Sequence, residues 1–312
     1  MHTSRSVFTV FTATYNRAHT LPRVYAGLCA QTYQNFEWLI MDDGSTDGTA
    51  RLVETWQQEA GFSIRYYWQA NRGKHIAHNV ALEKARGEFF VILDSDDSVV
   101  PSALERLLAL WESIPEEQKN QFCGAAALCK DQHDQIVGKT LPSPVMDASI
   151  LEMRFIHKRS QEFFGFYRTE ILKQFPFPVI EQVRFIPEGL VWSQIGQHYK
   201  IRYANEPLRI YHTEENASSL MRANPLSLAA SHSVWHQFTL NTEISWFRFE
   251  PRYFLLSAAH YARFSLHNGI GLLDQFNGLT NCPARLLWLL IFPAGVALCF
   301  RDRIRNRQSK HQ

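Results

Sequence analysis

Three times in the first hundred residues, a short apolar run ends in a cluster of polar and acidic residues. TYNR (14 to 17) closes the run Val7 to Thr14, DDGSTDGT (42 to 49) closes Phe36 to Met41, and DSDD (94 to 97) closes Glu88 to Leu93. A fourth run covers Ser63 to Trp68. Between the runs, Leu21, Val24 and Leu28 share one helical face, as do Leu52, Val53 and Trp56, and then Ile76, Val80 and Ala81. Strands that alternate with crossover helices predict an α/β fold: a Rossmann-like, mainly parallel sheet with helices on both faces. In such open sheets ligands bind outside the carboxyl ends of the strands, so the three clusters are expected to share one edge.

Beyond Pro101 a helix is expected over Ala103 to Trp111, strands over Phe122 to Leu128 and Ile201 to His212, and a helix over Glu188 to Tyr199 following Pro187. From about Pro225 the pattern turns helical and aromatic and ends in the uncharged run Leu286 to Phe300. The domain boundary is placed between 213 and 226, giving a domain over 1–215 (halves 1–100 and 101–215) and a helical region over 216–312. Charge divides the same way. Residues 216–312 hold 10 Lys and Arg against 4 Asp and Glu, while residues 1–215 hold 22 against 26. A mildly acidic body with a basic, apolar tail argues against a nucleic-acid binder and for something anionic near the C-terminus. The five cysteines form no CxxC pair, which fits free thiols in a reducing compartment. The N-terminus MHTSRSVFTVF has no signal-peptide pattern, so a cytoplasmic location is expected and the sequon at Asn216 is read as chance.

The cluster Asp94-Ser95-Asp96-Asp97 carries the most chemistry. Like charges at a strand end repel one another unless a cation lies between them, and hard oxygen ligands suit Mg²⁺ or Mn²⁺ bridging to phosphate. A helix N-cap would need only one of the three carboxylates. In the second cluster, Asp47 or Thr46 can cap the next helix, yet Asp42 and Asp43 exceed what a turn needs and could accept hydrogen bonds from a nucleobase or ribose. No GxGxxG and no Walker A pattern is present, which disfavours a usual dinucleotide site or a phosphate-cradling P-loop.

Taken in order, FTVFTATYNR, QTYQNFEWLIMDDGSTDGT, NRGKHIAHNVALEKARGEFFVILDSDD and, more loosely, PEGLVW resemble a glycosyltransferase of family 2 with the GT-A fold. The resemblance covers residues 7 to 100 unbroken and 160 to 213 more loosely. It implies inverting transfer of a hexosyl or N-acetylhexosaminyl group from a nucleotide diphosphate sugar, a UDP-sugar, assisted by Mn²⁺ or Mg²⁺. The acceptor would be a glycan or lipid-linked glycan, served by the half 101–215. Carried over by position, Thr14, Tyr15, Asn16 and Arg17 line the nucleotide pocket, with Tyr15 near the base. Asp42 and Asp43 contact the nucleoside, and Lys74 approaches the base or the diphosphate. Asp94 and Ser95 complete the donor site. Asp94 and Asp96 are the metal carboxylates, with His212 as a third metal ligand or a structural histidine, while Asp97 orients the loop.

The general base is where the sequence departs from the family pattern. Many members carry a Glu-Asp pair, and here it is Glu188-Gly189, leaving Glu188 as the catalytic carboxylate or else a helix-start glutamate favoured by the macrodipole. Glu162, Glu170 and Glu181 are the other candidates, and Trp192 is expected in the core or beneath the acceptor. The absence of QxxRW argues against a processive synthase. A non-catalytic nucleotide-sugar-binding or assembly protein of the same fold is the alternative. In the tail, Leu286 to Phe300 is short for a membrane span and is expected to be interrupted by Pro293, while Arg301 to Lys310 is basic. This arrangement predicts peripheral attachment to the anionic inner face of a membrane, against a buried helix or a dimer contact.

Overall fold

In the computed structural model the described residues are 6–212, apart from 182 and 184, and 226–308. The chain forms two compact units, Met1–Phe177 with Gln194–Ser218, and Pro178–Ser193 with Ser219–Gln312. The boundary stretch 213–225, the sequon at Asn216 and Lys310 lie outside the described residues.

In chain order, the first unit contains β1 (Phe8–Thr14), α1 (Leu21–Cys29), β2 (Phe36–Asp42), α2 (Thr49–Glu59), β3 (Ser63–Trp68), α3 (Lys74–Lys84) and β4 (Phe89–Ile92). There follow β5 (Ser98–Val99), α4 (Ala103–Glu112), β6 (Phe122–Asp131), β7 (Val145–Ala148), α5 (Ile150–Phe155), β8 (Phe164–Arg168) and α6 (Thr169–Leu172). A short α7 (Gly189–Ile195) begins in the second unit and leads to β9 (Lys200–Tyr211), back in the first. The strands form one sheet in the order β3-β2-β1-β4-β8-β6-β9-β5, with β7 also on β9.

The β1–β2, β2–β3 and β1–β4 pairings are parallel, as the helix-linked spacing requires. Beyond β4 the sheet turns mixed: β8 runs antiparallel to both β4 and β6, and β5 and β7 run antiparallel to β9. Every residue of β2 is buried, which is the signature of a strand covered on both faces. That includes Glu37, whose carboxylate accepts from Thr9 Oγ1 (2.7 Å) and Arg86 N (2.9 Å) and pairs with Arg65 Nη1 (3.0 Å). A buried charge is tolerable only when partnered in this way. Beside it, Tyr25, Trp38 and Trp56 stack, with the Tyr25 and Trp56 ring centroids 4.6 Å apart, and join α1 and α2 to the sheet.

The helix expected over Glu188 to Tyr199 is shorter, ending at Ile195. Gly196 follows, and the chain tightens into turns, Gln197 N to Gln194 O and His198 N to Ile195 O, before β9 begins. In the second unit, α8 (Ala229–Thr242), α9 (Pro251–His267), α10 (Leu272–Asn277) and α11 (Cys282–Gln308) pack around Leu240, Ala258, Tyr261, Ala262, Leu279, Ala284 and Trp288. The expectation that Pro293 interrupts the apolar run is corrected: α11 passes through it without a break. Pro293 and Leu289, whose carbonyl loses its partner, both lie on the exposed side of the helix. The opposite side is held by packing.

Candidate active site

The turn after β1 and the turn after β2 are built as one piece. Asn16 adopts a left-handed conformation (φ 53°), which its short polar side chain tolerates. Its N–H donates to Ser45 Oγ and its Oδ1 accepts from Thr46 N, both at 2.8 Å. Asp47 accepts from Ala18 N and Thr49 N, each at 3.0 Å, so it caps α2 and also ties in the first turn. Against the effect of burial, those hydrogen bonds hold the Asp47 carboxyl below its usual range. Gly44 has φ 95°, and a Cβ there would stand 2.9 Å from Asn71 N. Only glycine fits a position that combines positive φ with so close a backbone.

Asp42 and Asp43 are both buried and fully engaged. Asp42 accepts from Ser45 N (2.7 Å) through one oxygen and from the Tyr66 hydroxyl (2.6 Å) through the other. The Asp42 carboxylate is buried, and its two partners brace the turn after β2. Asp43 accepts from Gln69 Nε2 (2.7 Å), Arg72 N (2.9 Å) and Gly73 N (2.8 Å), and so holds the loop that opens α3. The first residue of α3 is Lys74, whose Nζ lies 2.5 Å from Asp94 Oδ1. One carboxylate thus sets the position of the cation that meets the next.

The acidic cluster after β4 rests on a residue that the sequence analysis did not single out. Arg209, 4% exposed on β9, donates from Nη2 to Asp94 Oδ2 (2.8 Å), from Nε to Asp97 Oδ2 (2.6 Å) and from Nη1 to Glu162 Oε1 (3.0 Å). The β5–β9 pairing, Val99 opposite Arg209, brings the guanidinium under the turn. The sequence signal is an arginine between Leu208 and Ile210, inside the short apolar run that ends β9. Lys74 and Arg209 hold the Asp94 carboxyl well below the usual range despite its burial. Burial pushes Asp97 up to about 7 against the pull of Arg209.

Asp96 is the most open of the three carboxylates, with 36% of its side chain exposed and Arg17 Nη2 4.0 Å from its Oδ2. Arg23 Nη1 donates to the Asp96 carbonyl (3.2 Å) and fixes the turn. Ser95 is buried. The metal set Asp94, Asp96 and His212 does not form a shell: both Asp94 oxygens are in ion pairs, and His212 Nε2 lies 3.1 Å from Ser98 Oγ. Among the described residues no three His, Cys, Asp or Glu side chains converge on a metal position. The donor set does fit the looser mode of Mg²⁺ and Mn²⁺, one open carboxylate plus substrate phosphates, with Asp96 as that carboxylate.

Two aromatic rings stand exposed at the ends of the strands that flank β2, Tyr15 (50%) after β1 and Trp68 (60%) at the end of β3. Thr14 is buried, and its Oγ1 finds no hydrogen-bond partner among the described residues. Thr14, Tyr15, Asn16, Arg17, Asp43, Lys74, Asp94, Ser95 and Asp96 therefore gather at the carboxyl edge of β1, β2 and β4. Glu188 is half-buried at the start of α7, in the second unit, and its carbonyl accepts from Val191 N. Of the other candidate bases, Glu162 is paired with Arg209 and Glu170 with Arg168. Trp192 is half-buried.

Comparison with known proteins shows the family and the fold. The model of glycosyl transferase family 2 matches residues 9–169. An uncharacterized glycosyltransferase of Nostoc sp. is 35% identical over 104 residues, 33% of this chain and 32% of that protein, so the match spans about a third of the relative's length. A GalNAc(5)-diNAcBac-PP-undecaprenol β-1,3-glucosyltransferase of Campylobacter jejuni is 25% identical over 234 residues, 73% of this chain and 70% of that protein. The crystal structure of Staphylococcus aureus TarS 1–349 in complex with UDP-GlcNAc shares the fold with a TM-score of 0.58 at 20% identity, covering 94% of this chain and 81% of that one.

Proposed function

The chain belongs to glycosyl transferase family 2, and from that premise we propose that it is an inverting transferase. It moves a hexosyl or N-acetylhexosaminyl group from a UDP-sugar to a glycan or lipid-linked glycan acceptor, at the cytoplasmic face of a membrane. The observation that carries the reading is the meeting of Arg17, Lys74, Asp94 and Asp96 at the carboxyl edge of the parallel strands. Cations beside carboxylates at that edge suit a diphosphate that arrives with a divalent ion. The name of the Campylobacter relative supports a lipid-linked acceptor, and the UDP-GlcNAc bound to TarS supports a uridine nucleotide.

In the reaction, an acceptor hydroxyl oxygen forms a bond to the anomeric carbon as the bond to the diphosphate oxygen breaks. The electron pair leaves with UDP, and Glu188 takes the acceptor's proton. Tyr15 offers a face to the base, and Asp43 keeps the 69–73 loop in place so that Lys74 can exchange Asp94 for the donor's phosphates. Asp96 would hold a Mg²⁺ or Mn²⁺ ion, which would supply charge neutralisation to the leaving diphosphate. Arg209 keeps Asp94 and Asp97 fixed while Lys74 moves.

Calorimetric titration of UDP-sugars with Mn²⁺ present tests the donor site. At least one is expected to bind, and Asp96→Ala is expected to weaken that binding about tenfold or more with the fold retained. Equal affinity in the variant, or no binding across the panel, contradicts the reading.

A further inference from the structure

In the second unit, α11 has two unlike sides. Ala284, Trp288, Gly295, Cys299 and Asp302 are buried toward α9, so closely that a Cβ on Gly295 would lie 2.5 Å from Ala262 Cβ. Asp302, the only acid in this helix, accepts from Arg263 Nε (2.6 Å) and Nη2 (2.9 Å), with His267 Nε2 at 3.1 Å. On the other side Leu286, Leu289, Leu290, Val296, Phe300 and Ile304 are exposed, Leu290 at 75%.

At about 100° per residue these six fall within roughly 80° of a single line along the helix. Arg301 and Arg305 fall on one shoulder of that stripe and Arg303 on the other, all exposed. The exposed half of α11 is therefore an apolar stripe flanked by cations on both sides, with no exposed anion. Long cationic side chains on the shoulders of an apolar stripe can reach phosphate headgroups while the stripe enters the acyl boundary.

We propose that α11 lies in the plane of an anionic bilayer, with Leu286, Leu289, Leu290, Val296, Phe300 and Ile304 buried at the headgroup boundary and Arg301, Arg303 and Arg305 on lipid phosphates. The proposal deepens, and rests on, the reading that the acceptor is reached at a membrane. By length and composition Cys282–Arg305 could cross a bilayer. Crossing, however, would carry Asp302 away from Arg263 and His267 or take that ion pair into hydrocarbon, a cost the in-plane position avoids. The charge on the shoulders selects lipid over a second copy of the chain, since two such cationic faces would repel.

Sedimentation of the full chain with vesicles tests this, using phosphatidylcholine alone and equal parts phosphatidylcholine and phosphatidylglycerol. Binding is expected to the anionic vesicles, weakening with salt. It should fall about 100-fold when Arg301, Arg303 and Arg305 are all changed to Gln, at the usual contribution of one basic residue near such a surface. Leu289→Gln with Leu290→Gln is expected to abolish it. In both variants the thermal shift given by UDP with Mn²⁺ should match wild type, which separates lost docking from lost folding or a failed donor site. No binding by wild type, or binding indifferent to either set of changes, overturns the proposal. So does a dimer in sedimentation velocity that Leu289→Gln with Leu290→Gln dissociates, or resistance of the bound protein to extraction at high pH.

Discussion

Arg209 faces three carboxylates, Asp94, Asp97 and Glu162, from an almost fully buried position. Removing the cation leaves the buried Asp97 without its partner, and breaking a buried pair costs about 3–5 kcal/mol. Arg209→Met should therefore lower stability by about that much, read as a fall in the urea midpoint. Arg209→Lys should recover only part of it, because a single ammonium cannot replace a fork that reaches three partners. Equal stability of Arg209→Met and wild type would show that the carboxylates are protonated or solvated instead. The same network explains why the site was half legible in the sequence. Asp94, Asp96 and Lys74 lie within recognisable motifs, whereas Arg209 comes from β9, more than a hundred residues from Asp94, and is brought in by the short β5 strand. For the surroundings of Asp42 the same limit applies. Sequence reports that a carboxylate stands at a strand end but not that Tyr66, on the next strand, turns to meet it.

At the level of elements, β1 to β4 and the helices between them were legible because apolar period and polar punctuation agree there. The antiparallel strands β5, β7 and β8 were not, being two to five residues long and defined by their partners rather than by their own pattern. In the second unit, α8 and α9 place His232, His236 and His260 around Phe264, with the His236 and Phe264 rings parallel to within 2°. Burial, with His260, His232 and Arg263 nearby, lowers the His236 pKa to about 3. The unfolded chain binds a proton at this histidine below about pH 6.5 and the folded chain does not. Stability from His236 is thus present above pH 6.5 and is lost as pH falls toward 3, by about 1.4 kcal/mol per unit. Buried His78 in the first unit, also lowered to about 3, adds the same sign. Urea midpoints measured from pH 7 to pH 5 should fall, and His236→Phe should flatten the slope. A slope unchanged in His236→Phe would show that the ring is protonated in the fold. Close packing gives a further expectation, since Gly295→Val would push α11 off Ala259 and Ala262 and lower the thermal midpoint.

Across the whole molecule, the first unit carries the cation and carboxylate cluster proposed as the donor site, and the second unit, which also takes in Pro178–Ser193, carries the basic apolar helix. Because α11 supplies Ala284 and Trp288 to the helical core, truncating it should unfold that unit rather than simply release a tail, so point changes on its outer face are the useful probes. Sugar transfer with Glu188 as the base separates cleanly from mere nucleotide-sugar binding. The direct measurement is turnover of a UDP-sugar to UDP with a lipid-linked glycan acceptor, alongside calorimetric donor affinity, in wild type and Glu188→Gln. The account predicts turnover by wild type and a loss of about 10² to 10⁴ in kcat, with kcat/KM falling equally and donor affinity unchanged. Donor binding by wild type without turnover, or wild-type kcat in a folded Glu188→Gln variant, would contradict it.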